Sequence, residues 1–560
     1  MRQVHYEIAL SDSARRHWRV IEVLGERSEA IARAKFLLED GAAPSIRVTR
    51  VARDPAEETF DELTILEEMA KRVKPRASAP ADSAPAALPC LAPEELFGDK
   101  ARETIARLLA EPLARWKLTA FELIHRADAL QRLEATGTLY QHALQKMAVA
   151  QAHSTGIPVA RIVKNLNTLC LAAMHRLYRD ERAGLFPALD LPALHTHAEA
   201  LHPAPAGDYR LGGAIAKYLG AASDWAARHA RALDACALEG EAGDAIRRGL
   251  DAYFREVAAT EAIDPFLPGL DGGLGNRLLA LVTILSGRGF TPLAQRLADA
   301  LSAGHLPRAR EAMAARLVDD LASLRRLDRD TLEGEIKSMR ILASAISKLD
   351  PALIERDVIE AAFNARSRRL AAADSVYEFM APGQGALERI ERLMILSENL
   401  VGTENKRKLA GYALPLLTGH QIERQIDSLR AAPIARLQRL ARLEGRILRS
   451  GIPEPERAQL VERLDEMAMK FARSSGVIES IAPRSLPPVP RALALLQFFT
   501  ARAVTQGSLT QMLRTEISAM LETPGFATSY RRFCAEEADE GLASFNEALA
   551  GAGLGAHRLG

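Results

Sequence analysis

Several features that often reveal function are scarce in this 560-residue sequence. Aromatic residues account for only 5%, so the core must be built mainly from leucine, alanine, isoleucine and valine. No GxSxG motif occurs, and no cysteine has the flanking residues of a known nucleophile family. The sequence therefore predicts no catalytic residue and no resident cofactor. The cysteines are far apart and form no CxxC pair, which favours a reduced, intracellular protein; they are Cys90, Cys170, Cys236 and Cys534.

An excess of charge and a long apolar run are also missing. The chain has 73 basic and 72 acidic residues, whereas proteins that hold nucleic acid usually have a basic excess. The longest strongly apolar stretch, residues 278–285, is far shorter than the ~20 residues that a membrane helix needs. The N-terminus has no basic segment followed by an apolar run, so no signal peptide is expected. We predict a cytoplasmic protein without a membrane span, and nucleic acid is disfavoured as a partner.

A proline-rich break near residues 74–93 divides the sequence into two dissimilar parts. Five prolines stand among small residues there, at Pro75, Pro80, Pro85, Pro89 and Pro93. Each proline removes a backbone donor and clashes with the preceding helical turn. The stretch is typical of an extended, semi-rigid linker.

Arginine outnumbers lysine 60 to 13 over the whole chain, which is typical of a GC-rich bacterial genome.

The part before the linker has the pattern of a small α+β head. Residues 3–10 and 17–24 alternate apolar and polar side chains, as half-buried strands do. A helical pattern follows, and residues 46–51 indicate a third strand. Residues 60–66 fit either a fourth strand or the start of a helix. The pattern predicts a ββαβ-like unit, which is marginally stable alone at this size.

The part after the linker predicts a mainly α body. Its apolar residues recur with the helical period of 3.6, and no internal repeat of fixed length recurs. We expect non-repetitive helical bundles, with a solenoid-like arrangement as the alternative. Helix starts are indicated by a capping box at Thr119 and Glu122, and by the pairs Thr291-Pro292 and Asp350-Pro351. The predicted divisions are a head at 1–70, a linker at 71–95, helical blocks at 96–262, 263–380 and 381–481, and a C-terminal helical segment at 482–560.

A glycine-rich stretch at residues 268–277 precedes an apolar helix. Glycines before a helix can expose backbone donors to a phosphate, which makes Gly272, Gly273, Gly275 and Arg277 candidates for cofactor binding. A P-loop, however, has Lys-Ser/Thr after its last glycine, and Asn276 stands there instead. A plain connection between helices is the favoured interpretation.

Histidines provide two further candidate sites. His195, His197 and His202 lie close in sequence and could bind zinc or iron. The spacing of two residues between His195 and His197 places them on different faces of a helix, which disfavours a shared metal. The block 122–175 contains Glu122 and His125 with the spacing of a bundle metal site, together with His142, His153 and His175. The matching second pair is missing, and ordinary surface or core histidines are favoured.

A short basic cluster at Lys406, Arg407 and Lys408 is a candidate contact for an acidic partner. Thr403, just before it, fits the N-cap of the next helix. The whole pattern favours a non-enzymatic regulatory or scaffold protein whose helical body is a surface for other proteins or for self-association. In this interpretation the head is an interaction or sensing module. The alternative is an enzyme or small-ligand sensor with a pocket between helices, near residues 269–276 or in the block 122–175.

Overall fold

The predicted fold class is confirmed: helices dominate, and a small four-stranded antiparallel sheet forms at the N-terminal end. The chain divides into two compact units, residues 1–89 with 145–164, and residues 90–144 with 165–560. The structure is a computed structural model, and it describes residues 3–11, 18–39, 45–54, 59–69, 90, 92–155, 157–201, 207–267, 273–419, 421–534, 538–557 and 559.

The head contains one strand more than a ββαβ unit. Its elements are β1 (Gln3–Ser11), β2 (Trp18–Leu24), α1 (Arg27–Glu39), β3 (Ser45–Asp54) and β4 (Thr59–Met69). The ambiguous segment at 60–66 is thus a strand. The strands are ordered β2-β1-β3-β4, with antiparallel neighbours throughout. The order leaves β2 and β4 as the two edges of the sheet.

Apolar alternation explains how α1 covers one face of this sheet. Ile8, Ile46 and Val48 are fully buried there and pack with Ala30 and Ala34 of α1. Two alanines at a spacing of four lie on one side of the helix, so the helix backbone approaches the strands closely. The small head core therefore depends on the period of two in the strands and on small residues in the helix.

The body consists of helices joined by short connections. A 3-10 helix covers Pro93–Phe97, within the last part of the predicted linker, and another covers Glu261–Phe266. Residues 70–89, most of that linker, lie outside the described residues. The α-helices are α2 (Asp99–Leu108), α3 (Ala110–Trp116), α4 (Ala120–His125), α5 (Ala127–Ala135), α6 (Leu139–Thr155), α7 (Val159–Arg182), α8 (Leu191–Leu201), α9 (Gly207–Gly220), α10 (Trp225–Cys236), α11 (Gly240–Ala259), α12 (Gly273–Leu285), α13 (Pro292–Ser302), α14 (Pro307–Ala322), α15 (Leu332–Ile346), α16 (Arg356–Leu370), α17 (Ala373–Met380), α18 (Ala386–Asn399), α19 (Thr403–Thr418), α20 (Gln421–Ser428), α21 (Pro433–Arg449), α22 (Glu454–Ser474), α23 (Val477–Ile481), α24 (Pro488–Thr500), α25 (Ser508–Leu521), α26 (Phe526–Cys534) and α27 (Ala538–Gly551), and a last 3-10 turn covers Gly555–His557.

Leucine and alanine dominate the interior of the body, as the low aromatic content predicts. One continuous hydrophobic cluster extends from Phe121 to Leu554, and a smaller one joins α3 to α7 through residues such as Leu113, Leu133 and Leu177. The division of the body into blocks at 263, 381 and 482 stays a prediction. No helix in the described ranges is both long enough and apolar enough to cross a bilayer.

Two of the predicted helix starts are confirmed and one is wrong. Thr119 and Glu122 form the reciprocal capping box of α4, and Thr291 caps α13 with Pro292 in its first turn. Asp350-Pro351 instead lies in a turn, and the next helix begins at Arg356. Proline in the first helical position is equally compatible with a turn, so tertiary packing decided this position.

Candidate functional site

The short helix α4 is buried on every side, which is unusual for a helix that carries ionisable residues. All six of its residues are buried, including Glu122 and His125. The Glu122 carboxylate accepts hydrogen bonds from the Thr119 backbone N–H at 3.0 Å and from its hydroxyl at 3.1 Å. A second interaction places a guanidinium nitrogen of Arg228 3.1 Å from Glu122 Oε1. Glu122 is thus committed to a cap and to an ion pair.

His125 is held as a neutral, close-packed ring. Burial lowers the pKa of His125 to about 4, although its hydrogen bond to the Phe121 carbonyl opposes this shift. That bond joins Nδ1 to the carbonyl oxygen at 2.8 Å. The other ring nitrogen faces the backbone of α9, since a Cβ added at Gly212 would lie 2.7 Å from Nε2. His125 therefore positions α4 against α9.

A second buried ion pair lies next to α4. Arg102 Nε is 3.0 Å from Glu256 Oε1, and both side chains are less than a tenth exposed. Glu256 Oε2 also accepts the Phe121 backbone N–H at 2.7 Å. Burial raises the pKa of Glu256 to about 7, and the positive charge of Arg102 opposes the rise. Glu256 thus fixes the start of α4 through the Phe121 N–H and pairs with Arg102.

An open cleft of about 1100 Å³ lies beside these pairs, between α2, α4, α7, α9, α11 and the start of α14. Four rings line its apolar part: Phe97, Phe121, His125 and Tyr209. Phe97 and Tyr209 meet edge to face at 4.9 Å, and Arg176 lies 4.4 Å from the Tyr209 ring centre. The charged lining residues are Glu94, Asp99, Arg102, Arg176, Asp208, Asp244, Arg247, Arg248, Asp251 and Arg308, with His305 beside them.

Most charges in the cleft are paired with each other. Arg176 contacts Glu94 at 2.8 Å, and Arg308 contacts Asp99 at 2.7 Å. Arg247 contacts Asp244, and this hydrogen bond is the main reason why the pKa of Asp244 is lowered. The cleft is a polar, ring-lined depression that could hold a small molecule.

The glycine-rich stretch is used for packing between helices. Gly272 lies outside the described residues. Gly273 begins α12 with φ +71°, and the Gly275 N–H donates to the Leu327 carbonyl at 2.9 Å. Arg277 is paired with Asp264 at 2.5 Å. The Gly275 donor and the Arg277 cation that a phosphate would need are thus engaged within the protein.

The two described histidines of the 195–202 group lie on α8 at a spacing of two. His195 Nε2 is 3.1 Å from the Glu239 carbonyl oxygen, and its Nδ1 is 3.6 Å from Glu199. Burial lowers the pKa of His197. His202 lies outside the described residues. In the described part of the chain, no three His, Cys, Asp or Glu side chains are grouped so that they could hold a metal ion.

The histidines of the block 122–175 differ in their surroundings. His125 is buried, whereas His142, His153 and His175 are exposed. Glu122 and His125 are one helical turn apart, but each is committed to contacts described above. The matching pair of metal ligands that was missing from the sequence is not supplied by other described residues.

The basic cluster at 406–408 is only partly free. Lys406 Nζ lies 3.4 Å from the Ser450 carbonyl, and burial lowers its pKa. Arg407 pairs with Glu404 and Glu456 at 2.7 and 2.8 Å. Lys408 is exposed. The prediction that Thr403 caps α19 is wrong. The helix begins at Thr403, and its N-cap is Gly402, which has φ +94°. The backbone at this N-cap position has a positive φ angle, which glycine adopts without strain.

Sequence reasoning missed the partners Arg102, Arg228 and Glu256. Glu256 is 135 residues from Phe121, which it contacts. A signal for it existed, since Glu256 lies among Tyr253, Phe254 and Val257, all buried on α11. A charged residue within an apolar helical stripe indicates a buried ion pair.

The two edges of the head sheet differ in charge and exposure. On β2, Val20, Ile21 and Val23 are 47, 42 and 53% exposed. This strand has one basic and one acidic residue, Arg19 and Glu22. The sequence of β4 has four acidic residues and no basic one. No family model, curated protein or solved structure matches the chain, so the inference of function depends on the cleft and on these edges.

Proposed function

We propose that this chain is a non-enzymatic, cytoplasmic scaffold protein that self-associates through strand β2 of its head and thereby brings two helical bodies together for other proteins. The observation that carries the proposal is the exposed apolar edge of the head. The free thiols of Cys90, Cys170 and Cys236 support a reducing compartment.

An open sheet edge offers unpaired backbone N–H and C=O groups to another strand. Proteins that avoid such pairing place charged side chains along the edge, and β4 has this composition. By contrast, β2 exposes Val20, Ile21 and Val23, which a second strand would remove from water. The β4 edge of the head is therefore protected from pairing with another strand, whereas the β2 edge is open to it.

Charge complementarity favours a second copy of β2 as the occupant. Arg19 has no ion-pair or hydrogen-bond partner among the described residues, and Glu22 contacts Arg33 through one carboxylate oxygen, at 3.0 Å. Because Ile21 is bulged out of the β1 pairing, Arg19 and Glu22 lie opposite Leu10 and Ile8 and share one face of the sheet. In an antiparallel pair of β2 strands, Arg19 of one chain therefore approaches Glu22 of the other. Each two-fold pair contains this contact twice, as an isologous interface requires.

Pairing of two β2 strands occupies the β2 edge of each head, so only β4 edges remain at the two ends of the joined sheet. The register between β1 and β2 shifts between Ile8 and Ala9, so Ile21 has no partner on β1. Bulges increase the local twist of a strand, so the partner strand has to follow the twist of β2. β4 has four acidic residues and no basic one, and of these Glu67 pairs with Arg47 of β3. The remaining negative charge disfavours pairing between two β4 edges, so we expect association to stop at the dimer.

The test measures the mass of the full-length protein by light scattering between about 1 and 50 µM. We expect a dimer for the wild type. Arg19→Glu and Glu22→Arg each place like charges opposite one another twice, which costs roughly 0.2–1 kcal/mol per pair. Each single variant should dissociate at concentrations where the wild type stays paired.

Mixing the two single variants is the decisive control. The mixture restores opposite charges at both contacts, so a mixed dimer should form at the wild-type concentration. Arg368→Glu changes an exposed arginine of the body by the same charge and should leave the dimer intact. A monomeric wild type, or a dimer that is equally stable in all variants, would overturn the proposal.

A further inference from the structure

The cleft of the helical body contains one guanidinium that forms no ion pair with a described residue. Four of its five arginines have a carboxylate partner: Arg102, Arg176, Arg247 and Arg308. Arg248 is exposed and has neither a hydrogen bond nor an ion pair among the described residues. It lies next in sequence to Arg247, on the wall that α11 contributes.

His305 also lines the cleft, and its imidazole has no hydrogen-bond or ion-pair partner among the described residues. It precedes α14, and its positive form and Arg248 both interact with Asp244, whose pKa they help to lower. Asp244 itself is committed to Arg247. Asp251 forms no hydrogen bond or ion pair with Arg248; its carboxylate accepts the backbone N–H groups of Arg308 and Ala309 at 3.2 and 2.9 Å. This corner of the cleft thus has unmatched donors.

The neighbouring wall is suited to a planar group. Phe97 and Tyr209 are only half-buried, and both line the cleft. Arg176 stacks on the Tyr209 ring, and its contact with Glu94 holds it there. An aromatic ring in a ligand would pack on these side chains and gain from both apolar burial and ring contacts.

We propose that the cleft binds a small anionic molecule that carries a planar ring, with the anionic group at Arg248 and His305 and the ring against Phe97 and Tyr209. A carboxylate or a phosphate satisfies the first requirement, because a guanidinium can donate two parallel hydrogen bonds to either. Asp208, which also lines the cleft and has no ion-pair partner in the described residues, repels an anion from its own end and so favours this orientation.

The test uses four probes on the full-length protein: adenosine monophosphate, benzoate, inorganic phosphate and adenosine. Isothermal titration gives the affinities. Adenosine monophosphate and benzoate share the anionic ring, and comparison of the two separates phosphate from carboxylate. We expect adenosine monophosphate, benzoate or both to bind. If adenosine monophosphate binds, inorganic phosphate alone and adenosine alone should each bind at least tenfold more weakly.

Variants locate the site. Arg248→Gln should lower the affinity at least tenfold for whichever anionic ring compound binds the wild type. His305→Gln should lower this affinity less. Phe97→Leu keeps an apolar side chain but removes the ring, and should reduce the preference for adenosine monophosphate over inorganic phosphate. Arg368→Gln is the matched control on an exposed arginine outside the cleft.

Two outcomes would overturn the inference. One is that neither anionic ring compound binds the wild type at millimolar concentration. The other is that Arg248→Gln binds as well as the wild type, which would place the site elsewhere. Either result is independent of the β2 dimer, since the cleft is built only from residues between Glu94 and Arg308.

Discussion

The connections that precede α15 and α25 are both held by buried carboxylates. Among the described residues, ion pairs with arginine are formed only by the carboxylate at the first connection. Before α15, Glu335 accepts the Leu327 N–H at 2.6 Å and contacts Arg366 at 2.7 Å and Arg369 at 2.8 Å. Arg366 in turn donates to backbone carbonyls of the connection, such as that of Leu321 at 2.7 Å. Neither Arg366 nor Glu335 is exposed.

Before α25, two carboxylates take the same role without a cation. Both oxygens of Glu444 accept the Gln506 N–H, at 2.8 and 2.9 Å. Asp465 accepts the Ser508 N–H at 2.6 Å and the Thr505 hydroxyl at 2.7 Å. Burial raises the pKa of Glu444 to about 7, and repulsion from Asp465 acts in the same direction.

The comparison shows that a buried charge can hold a loop in two ways. The two ways differ in their sensitivity to mutation and to pH. In a matched pair each charge compensates the other, but loss of one partner leaves the other buried without compensation, which is severely destabilising. An unmatched carboxylate tolerates the loss of its charge but makes stability depend on pH. Each of the following variants changes one side of this comparison.

The largest effect is expected for Arg366→Ala. The change leaves Glu335 buried with only Arg369 beside it and removes the donors to several loop carbonyls. Removing one partner of a buried pair costs about 3–5 kcal/mol of unfolding free energy. Chemical denaturation measures it. Arg368→Ala, on the exposed side of the same helix, should change stability by less than about 0.5 kcal/mol. Equal effects of the two variants would refute a structural role for the pair.

The next effect is a change in pH dependence in Glu444→Gln. The folded pKa of Glu444, about 7, is above its unfolded value of about 4.3. The native state therefore binds more protons between these values, and its stability falls as pH rises through the window. The glutamine has no proton to exchange but can still accept the Gln506 N–H.

Denaturation at pH 5, 6, 7 and 8 checks this prediction. Between pH 5 and pH 8, the unfolding free energy of the wild type should fall by roughly 2 kcal/mol more than that of Glu444→Gln. Some pH dependence should remain, because the pKa of Glu256 is also raised to about 7. If the two pH profiles are parallel, Glu444 does not titrate in this range.

The smallest effect tests the glycine that packs against the first connection. Gly273 has φ +71°, and a Cβ there would lie 2.9 Å from the Leu327 carbonyl oxygen. Gly304 has φ +75° with nothing within 4 Å of its added Cβ. Both alanine variants incur the left-handed backbone cost of roughly 1–2 kcal/mol, and Gly273→Ala should cost about 1 kcal/mol more because of the contact. Thermal midpoints of the two variants measure the difference, which vanishes if α12 simply shifts.

The sequence alone predicted the features that depend on neighbours within one or two turns. Alternation of apolar residues indicated the head strands, and the period of 3.6 indicated the body helices. Thr119 and Glu122 are three residues apart, so their capping box could be recognised without knowledge of the fold. Asp350 was misplaced because its local pattern fits a helix start and a turn equally well, whereas the N-cap predicted at Thr403 lies one residue earlier, at Gly402.

The tertiary structure decided which charges are buried and what they contact. Arg228 is 106 residues from Glu122, and Glu256 is 135 residues from Phe121, so no local pattern joins them. The cleft has the same origin, because it combines side chains from six helices that are distant in the chain. Periodicity identifies the face that a helix buries, but the partner of that face depends on how the whole chain packs. The exposed edge of β2 is also a tertiary property, since an edge exists only after the order of the strands is fixed.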